Sequence, residues 1–252
     1  MGWIEYWNGK PSIYVSERHK LAHYRGVADG ILAHLHRKDL SVLDYGCGEA
    51  LFAGDIAGRC SRLYLCDAAR NVRGELERRF SPDAAIDVLA PEHLTTISPG
   101  SLDLIIVNSV VQYLTLDDLT RNLAIWRRLL ASDGRLLLAD VIPRSVGAAT
   151  DALALLTFAS RHGFVASAIG GLARTFFSSY RTLRNRHGLQ QLDESEVLGH
   201  LSRHGFAGAR VHPNIGHNQA RMAFIATPMS AIGEARQAEA AYVPVREAVR
   251  GR

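Results

Sequence analysis

Short apolar runs alternate with amphipathic stretches along the first 142 residues. The apolar runs read as buried strands, and the stretches between them repeat apolar residues at helical spacing. The predicted strands begin with Val42 and Leu43, which Asp44 closes, and continue at residues 62–67, 85–89, 102–108 and 135–142; the predicted helices are 16–35, 71–80 and 116–130. Strands and helices that alternate at this spacing predict a doubly wound α/β sheet.

The pattern changes after Pro143. Residues 145–188 read as apolar helix without a strand and predict a helical insertion. A helix then follows Glu194, and residues 209–212 and 221–227 predict two strands joined by a short loop, an antiparallel hairpin. Asp133 and Gly134 predict a turn before the fifth strand.

Length and composition fit one domain. The chain has 252 residues, of which 47% are hydrophobic, enough for an α/β core with an insertion. We expect an N-terminal cap over residues 1–40, a ligand-binding domain over 41–228 and a peripheral tail over 229–252. No apolar run is long enough for a transmembrane helix and the N-terminus does not resemble a signal peptide, so a cytoplasmic protein is expected.

Charge and cysteine content exclude some classes of function. The net charge of +4 comes almost wholly from arginine. The chain lacks the dense basic stripe, interleaved with aromatic residues, that is typical of nucleic-acid-binding proteins, so nucleic-acid binding is not expected. The three cysteines do not form a disulfide framework, and no metal site is expected. His19 and His23 share a helix face but lack a third ligand, so packing is the favoured interpretation.

The most informative segment is SVLDYGCGEALFAGDI, residues 41–56. It predicts a buried strand, a glycine-rich turn and a helix that starts near Glu49. Gly46 and Gly48 permit backbone angles and a close ligand approach that side chains would block. A dinucleotide-binding turn needs a third glycine, and Leu51 occupies that position, so an NAD-dependent enzyme is disfavoured.

The same segment resembles the first motif of the class I S-adenosylmethionine (SAM) methyltransferases. The resemblance is carried by Asp44, Gly46, Gly48 and the small Ala50, and it extends over roughly Ser41 to Pro228. It implies a seven-stranded, mostly parallel sheet with an antiparallel last strand, and SAM as cofactor.

Cofactor contacts are expected at the carboxyl ends of the first four strands. Asp67 lies 23 residues after Asp44, close to the spacing at which an acid reaches ribose hydroxyls, and Ala68 follows it. Family members usually carry an acid after the third strand, but Ala90 stands there. Glu92, Asp87 or a backbone carbonyl are the alternatives for the adenine amino group. The full set of expected cofactor residues is Asp44, Gly46, Gly48, Asp67, Ala68, Ala90, Asn108 and Ser109.

Acceptor contacts are expected from two later segments. NSVVQYL, after the fourth strand, resembles the family segment that lines the methyl-transfer channel, which makes Gln112 and Tyr113 candidates. The polar loop HPNIGHNQAR contributes His217, the better base candidate because histidine titrates near neutral pH; the alternative is a loop histidine that only forms hydrogen bonds. The remaining candidates are Tyr113 and Asp140 in catalysis and His212 and Asn218 in substrate binding. Asp140 is a candidate base or orienting acid, with a structural hydrogen bond as the alternative.

The sequence thus predicts a SAM-dependent methyltransferase acting on a small-molecule acceptor. O- or N-methylation is favoured over C-methylation, and the apolar, basic insertion fits a hydrophobic acceptor. The alternatives are a noncatalytic SAM-binding regulatory protein and a methyltransferase that acts on a lipid, with peripheral contact to a membrane surface.

Overall fold

The computed structural model describes residues 2–9, 13–81, 83–175 and 188–230. Within this part of the chain, seven strands form one sheet. The strands are β1 (Ser41–Tyr45), β2 (Arg62–Cys66), β3 (Ile86–Leu89), β4 (Leu102–Asn108), β5 (Leu130–Val141), β6 (Phe206–Val211) and β7 (Met222–Pro228). The helices are α1 (Trp3–Asn8), α2 (Glu17–Leu32), α3 (Ala53–Ala57), α4 (Arg70–Phe80), α5 (Leu116–Leu129), α6 (Ala148–His162), α7 (Val165–Thr175) and α8 (Glu194–Arg203).

The sheet has the order β3-β2-β1-β4-β5-β7-β6. The first five strands are parallel, and β7 is antiparallel to both β5 and β6. This topology confirms the predicted doubly wound sheet with an antiparallel last strand. The order reverses between β1 and β4, and open α/β sheets bind ligands at such a point, beside the carboxyl ends of the strands.

Two apolar cores sandwich the sheet. On one face the strands pack against α5 and α8, and Trp126 is fully buried there. On the other face they pack against α2, α3 and α4, where Ile31 and Leu76 are buried. Successive residues of β4 alternate between the two cores, as Leu104 and Ile105 show. A strand buried on both faces reads as a continuous apolar run, which explains why β4 was predicted with its observed bounds.

The predicted turn at Asp133-Gly134 is wrong, because β5 begins at Leu130 and includes both residues. The register with β4 shifts there: Leu102 pairs with Leu130, and Leu104 with Arg135. The extra residues of β5 therefore form an irregularity in the strand and not a loop before it. A turn signal and a β-bulge use the same glycine chemistry, so the dipeptide alone does not separate them.

Helix ends follow the expected capping chemistry. Ser16 accepts a hydrogen bond from the His19 N–H at the start of α2, and Gly163 ends α6 in the left-handed conformation with φ 72°. The described part of the insertion forms α6 and α7. The aromatic and basic residues at 176–187, which belong to the predicted insertion, lie outside the described residues. No helix in the described ranges is long and apolar enough to cross a membrane.

Gly134 provides a test of the irregular register. A Cβ atom there would lie 2.8 Å from the Leu102 carbonyl oxygen and 3.0 Å from a Leu130 methyl group. We expect Gly134→Ala to lower the free energy of unfolding by about 1–3 kcal/mol, because overpacking forces backbone shifts. Gly199→Ala, in the middle of α8 with no atom near its Cβ position, is the matched control. It should raise stability by about 0.5–1 kcal/mol. Equal effects of both changes in urea unfolding would contradict the assigned register.

Candidate cofactor and acceptor site

The glycine turn lies directly after β1 and is fixed to the end of β2. The N–H groups of Gly46 and Cys47 both donate to the Cys66 carbonyl oxygen, at 2.7 and 3.2 Å. Gly46 and Gly48 have φ angles of 74° and 59°, in the region that favours glycine. A Cβ atom on Gly46 would lie 2.3 Å from Val110. The close approach that requires Gly46 is therefore to Val110, the residue two positions after β4 ends, which joins the turn to the next strand of the site.

The helix expected near Glu49 begins later. Ala50 has a φ of 41°, and α3 starts only at Ala53 and spans five residues. A left-handed residue cannot continue a right-handed helix, so the turn extends to Phe52. The N–H groups near the ligand side thus belong to an extended turn, and the Glu49 N–H donates to the Tyr24 hydroxyl at 3.0 Å.

Asp67 follows β2 and faces this turn. One carboxylate oxygen accepts from the Gly48 N–H at 3.0 Å and the other from the Ala69 N–H at 2.8 Å. Burial raises the pKa of Asp67, and the two N–H groups and Arg73 oppose that rise. Arg73 also donates to the carbonyl oxygens of Asp67 and Ala68. These contacts hold the acid at the carboxyl end of β2 with lone pairs left to accept from further donors.

Asp44 is the buried carboxylate of the site. It is 7% exposed, and its pKa is raised to about 7, first by desolvation and second by the nearby Asp67. Among the described residues no hydrogen bond or ion pair to its carboxylate is present. A buried carboxylate without a partner is stabilised in its charged form by a nearby cation. SAM carries a sulfonium and an ammonium group, so this unpaired acid beside a glycine turn fits that cofactor.

Ala90 is the residue that the sequence predicts beside the adenine ring. This residue is buried after β3, and its carbonyl oxygen already accepts from the His93 N–H at 2.9 Å. Asp87, one of the alternatives, is bound by Arg62 at 2.5 Å, and the other, Glu92, is exposed. A cavity of about 670 Å³ borders Ala90 and extends along α4.

The segment after β4 contributes two buried polar atoms without partners among the described residues. They are Oδ1 of Asn108 and Oε1 of Gln112, and Gln112 is only 4% exposed. Tyr113 is half-buried beneath α1, with ring centroids 4.7 Å from Trp3 and 5.7 Å from Trp7. Buried polar atoms normally have partners, so these two amide oxygens have unused accepting capacity.

Asp140 is placed in an ion-pair network. Its Oδ2 accepts from the Ser109 hydroxyl at 2.6 Å and from Arg221 at 2.7 Å, and Arg221 also binds Asp151 of α6. Ser109 and Asp140 both adopt left-handed φ angles, of 58° and 59°. Backbone strain of this kind clusters at functional sites. The two donors stabilise the carboxylate, so the geometry favours the orienting role for Asp140 over that of a base.

The polar loop between β6 and β7 lies at the same edge of the sheet. Asn214 accepts from the Asp140 N–H at 2.8 Å and donates to the Asn218 carbonyl, while Asn218 donates to Asp151 at 2.8 Å. Both asparagines are buried within this network. His212, in contrast, is exposed at the start of the loop. The structure therefore brings Asn218 to the site as a support for the loop and leaves His212 outside it.

His217 lies in a cluster of aromatic and imidazole rings. Its ring stacks on Phe158 of α6 at 4.9 Å, and it lies 6.1 Å from His19 and 6.2 Å from His23, both on α2. Desolvation lowers the pKa of all three imidazoles, to about 4 for His19 and about 3 for His23. His217 is thus neutral at pH 7, with a nitrogen lone pair available.

Sequence reasoning did not assign the α2 residues to the site. Tyr24 contacts the glycine turn through Glu49, and a Cβ on Gly48 would lie 3.0 Å from the Tyr24 hydroxyl. His19 and His23 face the loop that carries His217. The i to i+4 spacing of the two histidines and the aromatic residues before them were the available signal, but nothing in the chain pattern shows that α2 crosses over the glycine turn.

Comparison with known proteins agrees with this geometry. Residues 43–138 match the family model described as a methyltransferase domain. No curated protein matches the chain. Among solved structures, magnesium protoporphyrin IX methyltransferase of Synechocystis PCC 6803 with bound S-adenosylhomocysteine is 18% identical, with a TM-score of 0.54 over 86% of this chain and 88% of that one.

Two further structures share the fold. Phosphoethanolamine N-methyltransferase 1 of Haemonchus contortus, in complex with phosphoethanolamine and S-adenosylhomocysteine, is 13% identical with a TM-score of 0.59, over 92% of this chain and 48% of that one. The 1,6-didemethyltoxoflavin-N1-methyltransferase of Burkholderia thailandensis is 16% identical with a TM-score of 0.53, over 82% and 78% of the two chains. Residues 43–138 therefore match a methyltransferase domain, and the described part of the chain has the fold of the methyltransferases with which it is compared.

Proposed function

We propose that the chain transfers a methyl group to an oxygen or nitrogen atom of a small molecule with a hydrophobic body. Bound SAM supplies a methyl group already activated by its sulfonium. The protein therefore needs to align the acceptor, exclude water and receive a proton. The observation that carries the proposal is the neutral His217, held among apolar rings at the ligand edge of the sheet.

Different residues along the sheet edge bind different groups of the cofactor. Asp67 offers oxygens to the ribose hydroxyls, and the unpaired Asp44 favours a cation near the glycine turn. Ala90 leaves room for a flat ring beside the cavity that it borders. The amide oxygens of Asn108 and Gln112 accept from groups on the cofactor or acceptor.

The acceptor side is closed by the cap and the insertion. Arg18 of α2 donates to the Gly163 carbonyl oxygen at 3.0 Å, and a Cβ on Gly171 of α7 would lie only 2.0 Å from Val15. These contacts join α2 and the residue before its N-cap to the end of α6 and to α7. We propose that the two helical segments, residues 1–40 and the insertion of about 145–188, exclude water from the reacting atoms.

In this proposal His217 receives the acceptor proton. It has a depressed pKa because it is desolvated, and Asp140 opposes part of that depression. Asp140 and Asp151 hold Arg221, and the same network fixes the asparagines of the loop. The loop is therefore braced from α6 and β5, which fixes the position of its histidine.

A second candidate is methylation of an acceptor carried by a lipid. Six of the seven exposed large hydrophobic side chains in the described ranges lie on the cap and the insertion; they are Ile4, Ile13, Leu21, Leu153, Val165 and Ile169. The seventh, Leu116, lies on α5. Exposed apolar residues that lie together on a surface mark interaction sites, and the lipid candidate requires residues of these segments to do so.

The cofactor assignment predicts the effect of removing the Asp67 carboxylate. Asp67→Ala should weaken SAM binding roughly ten- to a hundredfold, as expected for loss of a charge-assisted hydrogen bond of about 1.5–3 kcal/mol. In the wild type the Asp87 carboxylate is bound by Arg62. The control variant Asp87→Ala should therefore bind SAM as the wild type does. Isothermal titration calorimetry measures both. Wild-type affinity in a folded Asp67→Ala protein would remove Asp67 from the cofactor site.

The acid–base assignment predicts a pH effect. If His217 accepts the proton, turnover rises with pH as His217 loses its own proton, with a midpoint below the usual histidine value of about 6.5 because burial lowers its pKa. His217→Ala should lower the rate by about 10²–10⁴-fold and remove this acid limb. His212→Ala, at the exposed end of the same loop, should leave both unchanged. If His217→Ala shows the same rate and the same dependence of turnover on pH as the wild type with a confirmed acceptor, the loop has a structural role only.

The lipid candidate predicts binding to vesicles. The doubly substituted variant Leu153→Ser with Ile169→Ser should lose flotation with phosphatidylglycerol vesicles if α6 and α7 contact the bilayer, because apolar area drives such binding. Leu116→Ser is the matched control and should float as the wild type does. If the wild type itself does not float, the lipid candidate is eliminated and the small-molecule proposal stands.

A further inference from the structure

His19 has a hydrogen-bonding atom for which the described residues provide no partner. The side chain is 6% exposed, and its Nε2 is buried without a hydrogen bond. It lies in the first turn of α2, and its backbone N–H is already used by the Ser16 cap. Buried polar atoms are usually satisfied, so an orphaned one beside a ligand site indicates a partner that binds there.

The tautomer of His19 follows from its other nitrogen. The Val15 N–H donates to Nδ1 at 3.3 Å, so Nδ1 is unprotonated and acts as the acceptor. In a neutral imidazole the proton is then on Nε2. His19 has a pKa of about 4 because it is desolvated and because His217 is near, so the ring is neutral at pH 7. The orphaned atom is therefore an N–H donor, and it requires an acceptor atom.

The surroundings of His19 are rings from four parts of the chain. Its ring centroid lies 5.0 Å from Phe164, stacked, and 5.3 Å from Tyr14. Phe158, His217 and His23 follow at 6.0, 6.1 and 6.5 Å. Rings at these centroid separations are in contact with one another, so His19 lies in a packed aromatic cluster. A planar acceptor ring that binds against this cluster would meet flat apolar faces and edges, with Nε2 of His19 as its hydrogen-bond donor.

The charges around the rings argue against an ionised acceptor. His23, like His19, is neutral because burial lowers its pKa to about 3. Two cations near the rings already have partners, since Asp140 and Asp151 bind Arg221 and Arg18 donates to the Gly163 carbonyl oxygen. A charged substituent placed among these rings would lose its hydration without gaining a counter-ion, which is costly.

We propose that His19 is a specificity-determining residue, whose Nε2–H donates a hydrogen bond to a neutral carbonyl-type oxygen on a planar aromatic methyl acceptor. The inference rests on the proposed function, since it places the acceptor between α2, α6 and the loop that carries His217. His19 selects the acceptor and His217 receives the proton, so the two roles are separable. If His19 were only a packing residue, its Nε2–H would have no influence on which acceptor binds.

Three matched phenols test the choice of acceptor. 4-Hydroxyacetophenone carries a neutral carbonyl, 4-ethylphenol has a similar shape without that acceptor atom, and 4-hydroxybenzoate carries a charge. Binding of each to the protein saturated with S-adenosylhomocysteine is measured by calorimetry. We expect 4-hydroxyacetophenone to bind roughly 3- to 10-fold more tightly than 4-ethylphenol, as a neutral hydrogen bond provides, and 4-hydroxybenzoate to bind most weakly.

Two substitutions then assign the preference to Nε2. His19→Phe keeps a ring against Phe164 but removes the donor, so the ratio of affinities for 4-hydroxyacetophenone and 4-ethylphenol should fall to about one. His19→Gln restores an N–H near the position of Nε2 and should recover most of the ratio. Affinity for S-adenosylhomocysteine should be unchanged in both variants, which also shows that they fold.

The outcomes separate this inference from the function on which it rests. If the wild type does not bind S-adenosylhomocysteine, the proposed cofactor site is contradicted. Tight cofactor binding with an unchanged ratio in His19→Phe would overturn the role of His19 and leave the methyltransferase assignment intact. Absence of binding by all three phenols, or a preference for 4-hydroxybenzoate, would overturn the neutral aromatic acceptor.

Discussion

The hydrogen bond from the Gly48 N–H to the Asp67 carboxylate is the interaction on which the site depends. It joins the turn after β1 to the residue after β2, at 3.0 Å. The turn itself is fixed by the Cys66 carbonyl oxygen, so two neighbouring parallel strands end in one connected unit. Because Gly46 also contacts Val110, the end of β4 is included. The backbone of three strands thereby defines where a cofactor can bind.

The same edge of the sheet sets the acceptor side. Since β6 runs parallel to β5, its carboxyl end and the following loop reach the ligand edge. The loop is held there by charge: Arg221 lies between Asp140 of β5 and Asp151 of α6. Partly buried ion pairs with several hydrogen bonds keep a defined geometry, which is what a proton-accepting residue in the loop requires.

Most of the fold could be predicted from the chain because its strands are buried. A continuous apolar run such as residues 102–108 fits few structures other than a buried strand. Gly46 and Gly48 mark the turn that follows β1. The start of α3 and the Asp133-Gly134 irregularity were not predictable, since each depends on local φ angles or on strand pairing. The spacing of Asp67 predicted its place after β2, where it contacts the glycine turn. The place of His19 beside His217 was not predictable, because it follows from how α2 packs across the sheet edge and not from any local pattern.

We propose that the acids after β1 and β2 hold SAM at the glycine turn, with the acceptor beside His217. A crystal structure of the protein with S-adenosylhomocysteine would test this arrangement. We expect ribose hydroxyls within hydrogen-bonding distance of the Asp67 carboxylate, the cofactor ammonium group on the Asp44 side and the adenine ring beside Ala90. A cofactor bound elsewhere, or one whose ribose makes no contact with Asp67, would contradict the proposed site.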